Sequence, residues 1–345
     1  MFQILRLFFP LLYQGVSKRN GYFEGWYYKQ ATATSVSGAK ASRAISFIPG
    51  ISRTPYGSAD DDMAFVQMID GDTGMTRFFP FPIEAFSAKD RPFELHVANN
   101  YFSLDGLTVD LEDEQGRVEA SLSYGPIAPP KSSLAWPGVM GPYTFTPFME
   151  CYHGVVSMDH AVEGQITMSA KGPGGSLEKI NFDEGRGYIE KDWGRSMPQS
   201  WIWLQTNMFP SALGRVSLFF SLARIPWQGR SFNGFICILY VNGMEYRYAS
   251  YTSARVELLE FQGRDMRILV VDKSTKLELM ISRNHEGSLA APVNGAMNRR
   301  ISESADSWVR VILKERHGLD DVPILDAVSP ASGVELVGDM DSLKP

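Results

Sequence analysis

Residues 234–251 read GFICILYVNGMEYRYASY, and this stretch decides the fold. Two runs rich in aromatic and branched side chains flank Asn242-Gly243, a dipeptide that tolerates the positive φ angles of a two-residue hairpin turn. An antiparallel strand pair is predicted here. Working outward, the same period of two recurs at Leu107, Val109 and Leu111, and again at Val118, Ala120 and Leu122. It returns at Val216, Leu218, Phe220 and Leu222, and at Leu277, Leu279 and Ile281. Alternation of this kind marks half-buried strands. Asp70-Gly71-Asp72 and Gly172-Pro173-Gly174-Gly175 are turn signals. Few stretches hold a helical period for three turns, so the chain is predicted to be all-β and mainly antiparallel.

Strands are spread over the whole length, and no Ser/Pro-rich linker divides it. Two β-units that share an interface are therefore expected, with a boundary near 185, before GRGYIEKDWGRS, giving units 1–185 and 186–345. No internal repeat is visible. The Pro/Gly-rich segment 125–147 is the longest irregular stretch and a candidate lid. The segment Gly287–Asp306 is the least patterned and is expected to carry a short helix. The tail after Val322 is expected to be loosely ordered.

Composition narrows the function. The chain has 345 residues, 44% of them hydrophobic, enough for a sizeable core. Its 33 basic and 39 acidic residues give a net charge of -6. That balance argues against nucleic-acid binding, which needs a basic face, and against charge-driven docking on anionic lipid. Two cysteines exclude a disulfide framework, and five scattered histidines argue against a catalytic zinc site. No metal is expected. Gly185-Arg186-Gly187 fails to complete a dinucleotide fingerprint because Glu190 occupies the last position, and neither a P-loop nor a nucleophile elbow is present. No cofactor is expected. The N-terminal MFQILRLFFPLLYQG is interrupted by Arg6 and Pro10 and falls short of the roughly 20 apolar residues of a membrane span. It also lacks a cleavable signal. It is expected to pack on the body of a cytoplasmic protein, with peripheral membrane contact as its functional alternative.

Chemistry-bearing residues concentrate among aromatic ones in three blocks: GYFEGWYYK (21–29), TPFMECYH (146–153) and GRGYIEKDWGRSMPQSWIWLQTN (185–207). They hold Glu24, Glu150, Glu190, Asp192, His153, Arg186, Arg195 and four of the seven tryptophans. Trp201, Trp203, Gln205 and Asn207 share one face if their segment is a strand, making a wall greasy at one end and wet at the other. Glu190 and Asp192 are expected on opposite faces of one strand, so that one of them reaches a given pocket. A carboxyl among aromatic rings keeps its proton near neutral pH, and tryptophan faces stabilise developing positive charge by about 0.5–2 kcal/mol per ring. Proton-initiated chemistry on an alkene needs that pairing, and an inert aromatic core with buried ion pairs presents the same residues. A Lys191 or Arg195 paired with Asp192 would lower its pKa and spoil it as a donor.

The blocks YFEGWYYK, SFIPGI (46–51), PFMECYHGV (147–155) and GYIEKDWGRSMPQSWIWLQ (187–205) resemble the tocopherol cyclase family, in particular its bacterial, non-photosynthetic branch. The resemblance runs in order from about Phe9 to Leu313. It implies closure of a chromanol ring: the alkene of a prenylated benzoquinol is protonated and the phenol oxygen captures the cation, without cofactor or metal. The related carotenoid hydratase family implies two packed lipocalin-like β-barrel or sandwich units, with water as the nucleophile. The transit peptide of plant members is not expected here. By motif position, Asp192 is the expected proton donor. Glu24 and His153 are expected to hold that proton or take the phenol proton. Trp26, Trp193, Trp201 and Trp203 are expected to form the cage, lined further by Glu150 and Gln205, and Tyr152 and Arg195 to bind a polar head. Three functions stay open: such an enzyme, a non-catalytic carrier of an isoprenoid or lipid, and an interaction protein whose aromatic blocks are core.

Overall fold

The computed structural model describes residues 6, 8–33, 42–55, 61–147, 149–172, 174–317 and 322–345. Strands dominate them, and apart from Arg6 the helical residues lie in short 3-10 turns. The first sheet contains β1 (Tyr22–Ala31), β2 (Ala44–Arg53), β3 (Met63–Asp70), β4 (Met75–Pro82), β5 (Phe86–Asp90) and β6 (Phe93–Val97). It continues with β7 (Asn100–Ser103), β8 (Gly106–Glu112), β9 (Gly116–Tyr124), β10 (Cys151–Ala170), β11 (Leu177–Asn181) and β12 (Gly185–Gly194). The second sheet contains β13 (Trp201–Thr206), β14 (Val216–Trp227), β15 (Arg230–Val241), β16 (Met244–Ala249) and β17 (Arg255–Gln262). It is completed by β18 (Asp265–Val271), β19 (Thr275–Ser282), β20 (Gly287–Val293), β21 (Ala296–Glu315) and β22 (Leu325–Val337). Every pairing is antiparallel, as the alternation predicts.

Asn242 (φ 47°) and Gly243 (φ 90°) form the predicted hairpin turn between β15 and β16, where Val241 pairs with Met244. Asp70-Gly71-Asp72 turns between β3 and β4. Pro173 lies outside the described residues, but Gly175 N–H closes the flanking turn on Gly172 O at 3.0 Å.

Each sheet curls around its own apolar interior. Trp26, Tyr28, Phe47 and Phe102 fill the first, and Leu218, Phe220, Leu277 and Leu313 fill the second. A third core, with Tyr27, Val155, Tyr188, Trp201, Trp203, Phe219 and Ile238, lies where the two curled sheets meet. Central strands therefore touch an apolar environment on both faces. Tyr22–Ala31 and Trp201–Thr206 are buried along nearly their whole length for this reason and show no alternation. The architecture is two packed, lipocalin-like antiparallel units.

Three expectations need correction. The chain changes sheets between Gly194 and Trp201, not near 185, because Gly185–Gly194 is the strand that pairs with both β1 and β10. The segment Gly287–Asp306 is no helix but a hairpin of β20 and the start of β21, turned at Asn294 (φ 51°) and Gly295 (φ 84°). Its β20 is buried on both faces, which removes the alternation. The tail is not loose either: Leu325–Val337 sits mid-sheet between β13 and β21. Its Ser329, Ala331 and Ser332 are buried where the sheets approach, so small residues stand where large apolar ones mark an ordinary core strand.

Residues 1–5 and 7 of the N-terminal segment lie outside the described residues, and Pro10 to Tyr13 pack on the body. Leu11, Leu12 and Tyr13 cover the first core, and Pro10 rests on Gly154, where a Cβ would lie 2.2 Å from the proline ring. No helix among the described residues is long and apolar enough to cross a membrane. Segment 125–147 is a strap fastened to the second sheet. Arg247 donates to Gly138 O at 3.0 Å, Tyr251 to Val139 O at 2.6 Å, and Lys131 N–H to Glu245 at 2.7 Å.

Candidate active site

The interface between the sheets holds a cavity of about 170 Å³. It is walled by β1–β3, β10 and β12 on one side and by β13–β15 and β20–β22 on the other, with Met140 and Tyr143 of the strap also lining it. A cavity of about this size encloses a benzene-sized body, so of a longer ligand it would shelter one end and not the whole.

Its polar floor follows from strand register. His153 of β10 is directly opposite Asp192 of β12, and such pairs share a face. His153 Nδ1 lies 2.6 Å from Asp192 Oδ1, and its Nε2 lies 3.7 Å from Glu190 Oε2. Glu190 and Asp192 are two residues apart on one strand, so they point the same way, and both line the cavity. The expectation of opposite faces was wrong for that reason. Glu190 Oε2 accepts hydrogen bonds from Tyr188 OH (2.5 Å) and Trp203 Nε1 (3.0 Å). The His153 ring stacks on Phe219, centroids 5.0 Å apart.

These contacts set the charges. Burial opposes a charge on His153, but Asp192 and Glu190 outweigh it and push its pKa up to about 9. Burial raises Glu190 to about 7; the charge of His153 pulls it down and that of Asp192 pushes it up. The cluster thus holds a cationic imidazole beside a carboxyl that takes and releases a proton near neutrality.

The other expected site residues divide. Trp201, Trp203 and Glu150 line the cavity, Glu150 as an exposed residue. Glu24, Trp26 and Trp193 do not, because they alternate onto the opposite face. Glu24 is fully paired: it accepts from Gln14 N–H (2.8 Å), Gly15 N–H (2.9 Å) and Tyr22 OH (2.6 Å), and binds Lys191 in an ion pair. Lys191 also donates to Leu12 O, and Trp26 Nε1 to Leu11 O at 2.8 Å. This group fastens the N-terminal segment. The four expected cage tryptophans are thus split between two faces, and the cation that Trp26 and Trp193 flank is the Lys191 ammonium, 4.6 Å from the Trp26 ring and 4.9 Å from Trp193. Tyr152 stacks on Trp193 and donates to Thr146 O at 2.9 Å. Arg195 is exposed and reaches Asn294 at 2.8 Å. Gln205 is buried against Lys29 Nζ at 2.9 Å. None of these three lines the cavity.

Sequence reasoning passed over Tyr27, Glu303 and Glu335. Tyr27 and Glu335 line the cavity; Tyr27 donates to Glu303, and Ser46 Oγ donates to Tyr27 at 2.9 Å. Tyr27 stands in YFEGWYYK and could have been read there. Glu335 stands among Gly and Val in the tail and carried no signal.

One ligand atom each of His153, Glu190 and Asp192 lie within 4.8 Å of one another, a nitrogen and carboxylate set of the kind that takes a divalent cation. A cation here would have to displace the His153–Asp192 hydrogen bond and compete with the Tyr188 and Trp203 donors for Glu190.

Two packed lipocalin-like sheets enclosing an aromatic cavity with a histidine-carboxylate floor define the class of the molecule. The family model described as tocopherol cyclase-like matches residues 141–338, and the chain belongs to that family. A chloroplastic tocopherol cyclase of Zea mays is 46% identical over 41 residues, 12% of this chain and 9% of the maize protein. The chain thus matches less than a tenth of that relative's length. Among solved structures, CghA in complex with Sch210972 superposes with a TM-score of 0.57 over 92% of this chain and 89% of its own, at 10% identity. A protein of Nitrosomonas europaea described as an AttH gives 0.52 over 91% and 92%, at 11% identity. At these identities the likeness is one of fold.

Proposed function

We propose that the protein catalyses proton-initiated addition of oxygen to an isoprenoid alkene, with a prenylated benzoquinol closing to a chromanol as the substrate class. The supporting observation is the Glu190–His153–Asp192 cluster at an aromatic, sheltered cavity. Glu190 gives its proton to the alkene carbon, leaving a tertiary cation. The phenol oxygen bonds to that cation, and the proton it sheds returns to Glu190, so the acid is regenerated. His153 stabilises the Glu190 carboxylate while it is ionised, and the Tyr188 and Trp203 donors do the same. Asp192, first expected as the donor, orients His153 and keeps it charged.

The test is incubation with a geranylated benzoquinol in deuterated water. Chromanol carrying one deuterium on the former alkene carbon is the expected product. Glu190→Gln is expected to slow turnover by about 10²–10⁴ with ligand affinity little changed. Binding without conversion would mean a carrier, and full activity in Glu190→Gln would take Glu190 out of the chemistry.

A further inference from the structure

Among the described residues lining the cavity, the second sheet supplies one titratable side chain, Glu335 on β22. It pairs in register with Trp203 of β13 on one side and Glu303 of β21 on the other. Its Oε2 accepts from Trp201 Nε1 at 2.5 Å. The two wall tryptophans thus act in parallel, for Trp203 steadies the carboxyl of the first sheet and Trp201 that of the second. Glu335 is half-buried and lines the cavity.

We propose that Glu335, held by Trp201, is the subsite that seats the oxygen-bearing ring of the ligand, a phenol or quinone carbonyl, while Glu190 faces the alkene. This rests on the reading of the site as one for a prenylated quinol. The geometry divides labour between walls: the first-sheet wall carries the proton-transfer cluster, and the second carries one carboxyl among Ala223, Ile225, Ile236 and Leu289. The groups facing Glu335 are Trp201 from β13, Glu303 from β21, Glu190 and Asp192 from β12 and His153 from β10. Tyr27 and Lys29 of β1 stand behind Glu303. Burial first, then the charge of Glu303, holds the Glu335 carboxyl well above the usual range, which favours its neutral form. A neutral carboxyl both gives and accepts a hydrogen bond, and it fits a hydroxyl and a carbonyl equally. An ionised carboxylate would reject the carbonyl.

Equilibrium binding, read by quenching of tryptophan fluorescence, tests this with a geranylated benzoquinol and its dimethyl ether. Glu335→Gln, which keeps a donor and an acceptor, should hold the quinol within about threefold of the wild type. Glu335→Leu should weaken the quinol about tenfold or more, the loss of one buried hydrogen bond, and weaken the ether less, because the ether oxygen accepts but has no hydrogen to give. In turnover the Leu variant should raise KM with little change in kcat. Equal quinol affinity in wild type and Glu335→Leu would overturn the subsite, as would a Gln variant as impaired as Leu. Because binding is measured apart from turnover, a protein that binds the quinol through Glu335 yet makes no chromanol would fail only the catalytic reading. Failure to bind either probe would overturn both.

Discussion

Lys191 and its two neighbours, one residue away on either side, meet opposite surroundings. Glu190 and Asp192 face the cavity, whereas Lys191 lies between two indoles with Glu24 as its counter-ion. Burial lowers the Lys191 pKa to about 8, and Glu24 resists that shift. Replacing Glu24 by Gln strands a buried ammonium, and we expect a loss of about 3–5 kcal/mol in urea unfolding. Adding Lys191→Met should restore most of it; a harmless single variant would refute the pairing. At the other face, Asp192→Asn removes the carboxylate that holds the His153 charge. The imidazole pKa, followed by NMR, should then fall from about 9 toward its ordinary value. An unmoved titration would mean that Glu190 alone sustains it. These residues were legible as a set, since E-K-D-W-G and E-C-Y-H announce dense chemistry. Their partition was not read, although a period of two puts Glu190 with Asp192 and Lys191 with Trp193.

At the scale of elements, strand register makes the site. Gly25 of β1 pairs with Asp192, which pairs with His153 across three neighbouring strands. The glycine lines the cavity, and a Cβ built on it meets nothing nearer than Ile48 Cγ2 at 3.8 Å. Gly25→Val should therefore fold as well as the wild type in thermal unfolding, since valine suits a strand. Its methyl groups would narrow the space above Asp192, so KM for the geranylated benzoquinol should rise about tenfold or more. An unchanged KM would place the ligand elsewhere. The outer strands were legible because one face of each meets water: β8, β9 and β19 alternate cleanly. The elements misread, β20 and β22, lie against the other sheet, where both faces are buried or small residues are needed for close approach. Gly333 shows the second case, since a Cβ there would lie 2.7 Å from the Trp203 ring. The Asn294-Gly295 turn carried the same signal as Asn242-Gly243 and was obscured by the strand before it.

Across the whole molecule the two sheets repeat one winding. The first strand of each lies mid-sheet, the next three step to one edge, and the last returns to pair with the first. No sequence repeat betrays this, because topology constrains where apolar faces fall and not which residues supply them. The halves are joined by a buried polar link. Lys29 of the first sheet donates to Gln205 and to Ala331 O of the second, both at 2.9 Å, and Tyr27 donates to Glu303. Burial raises Glu303 to about 7 from 4.5, against the pull of Tyr27 and Lys29. Burial lowers Lys29 from 10.5 to about 7, against the pull of Glu303. Between pH 4.5 and 7 the folded chain keeps a proton on Glu303 that the unfolded chain has released, so this group's stabilisation is lost as pH rises through that window. Between pH 7 and 10.5 the unfolded chain holds the extra proton, on Lys29, so that group's contribution grows with pH. The two slopes meet in a minimum near neutrality. Glu303→Gln removes this group's own share of the acid-side slope and leaves that of Glu190 in place. Its stability relative to the wild type should therefore climb by up to about 3 kcal/mol across the acid window, because each tenfold change in proton affinity is worth about 1.4 kcal/mol. Urea unfolding across that range measures the difference, and parallel curves for the two proteins would mean that Glu303 is solvated and the link between the sheets is open to water.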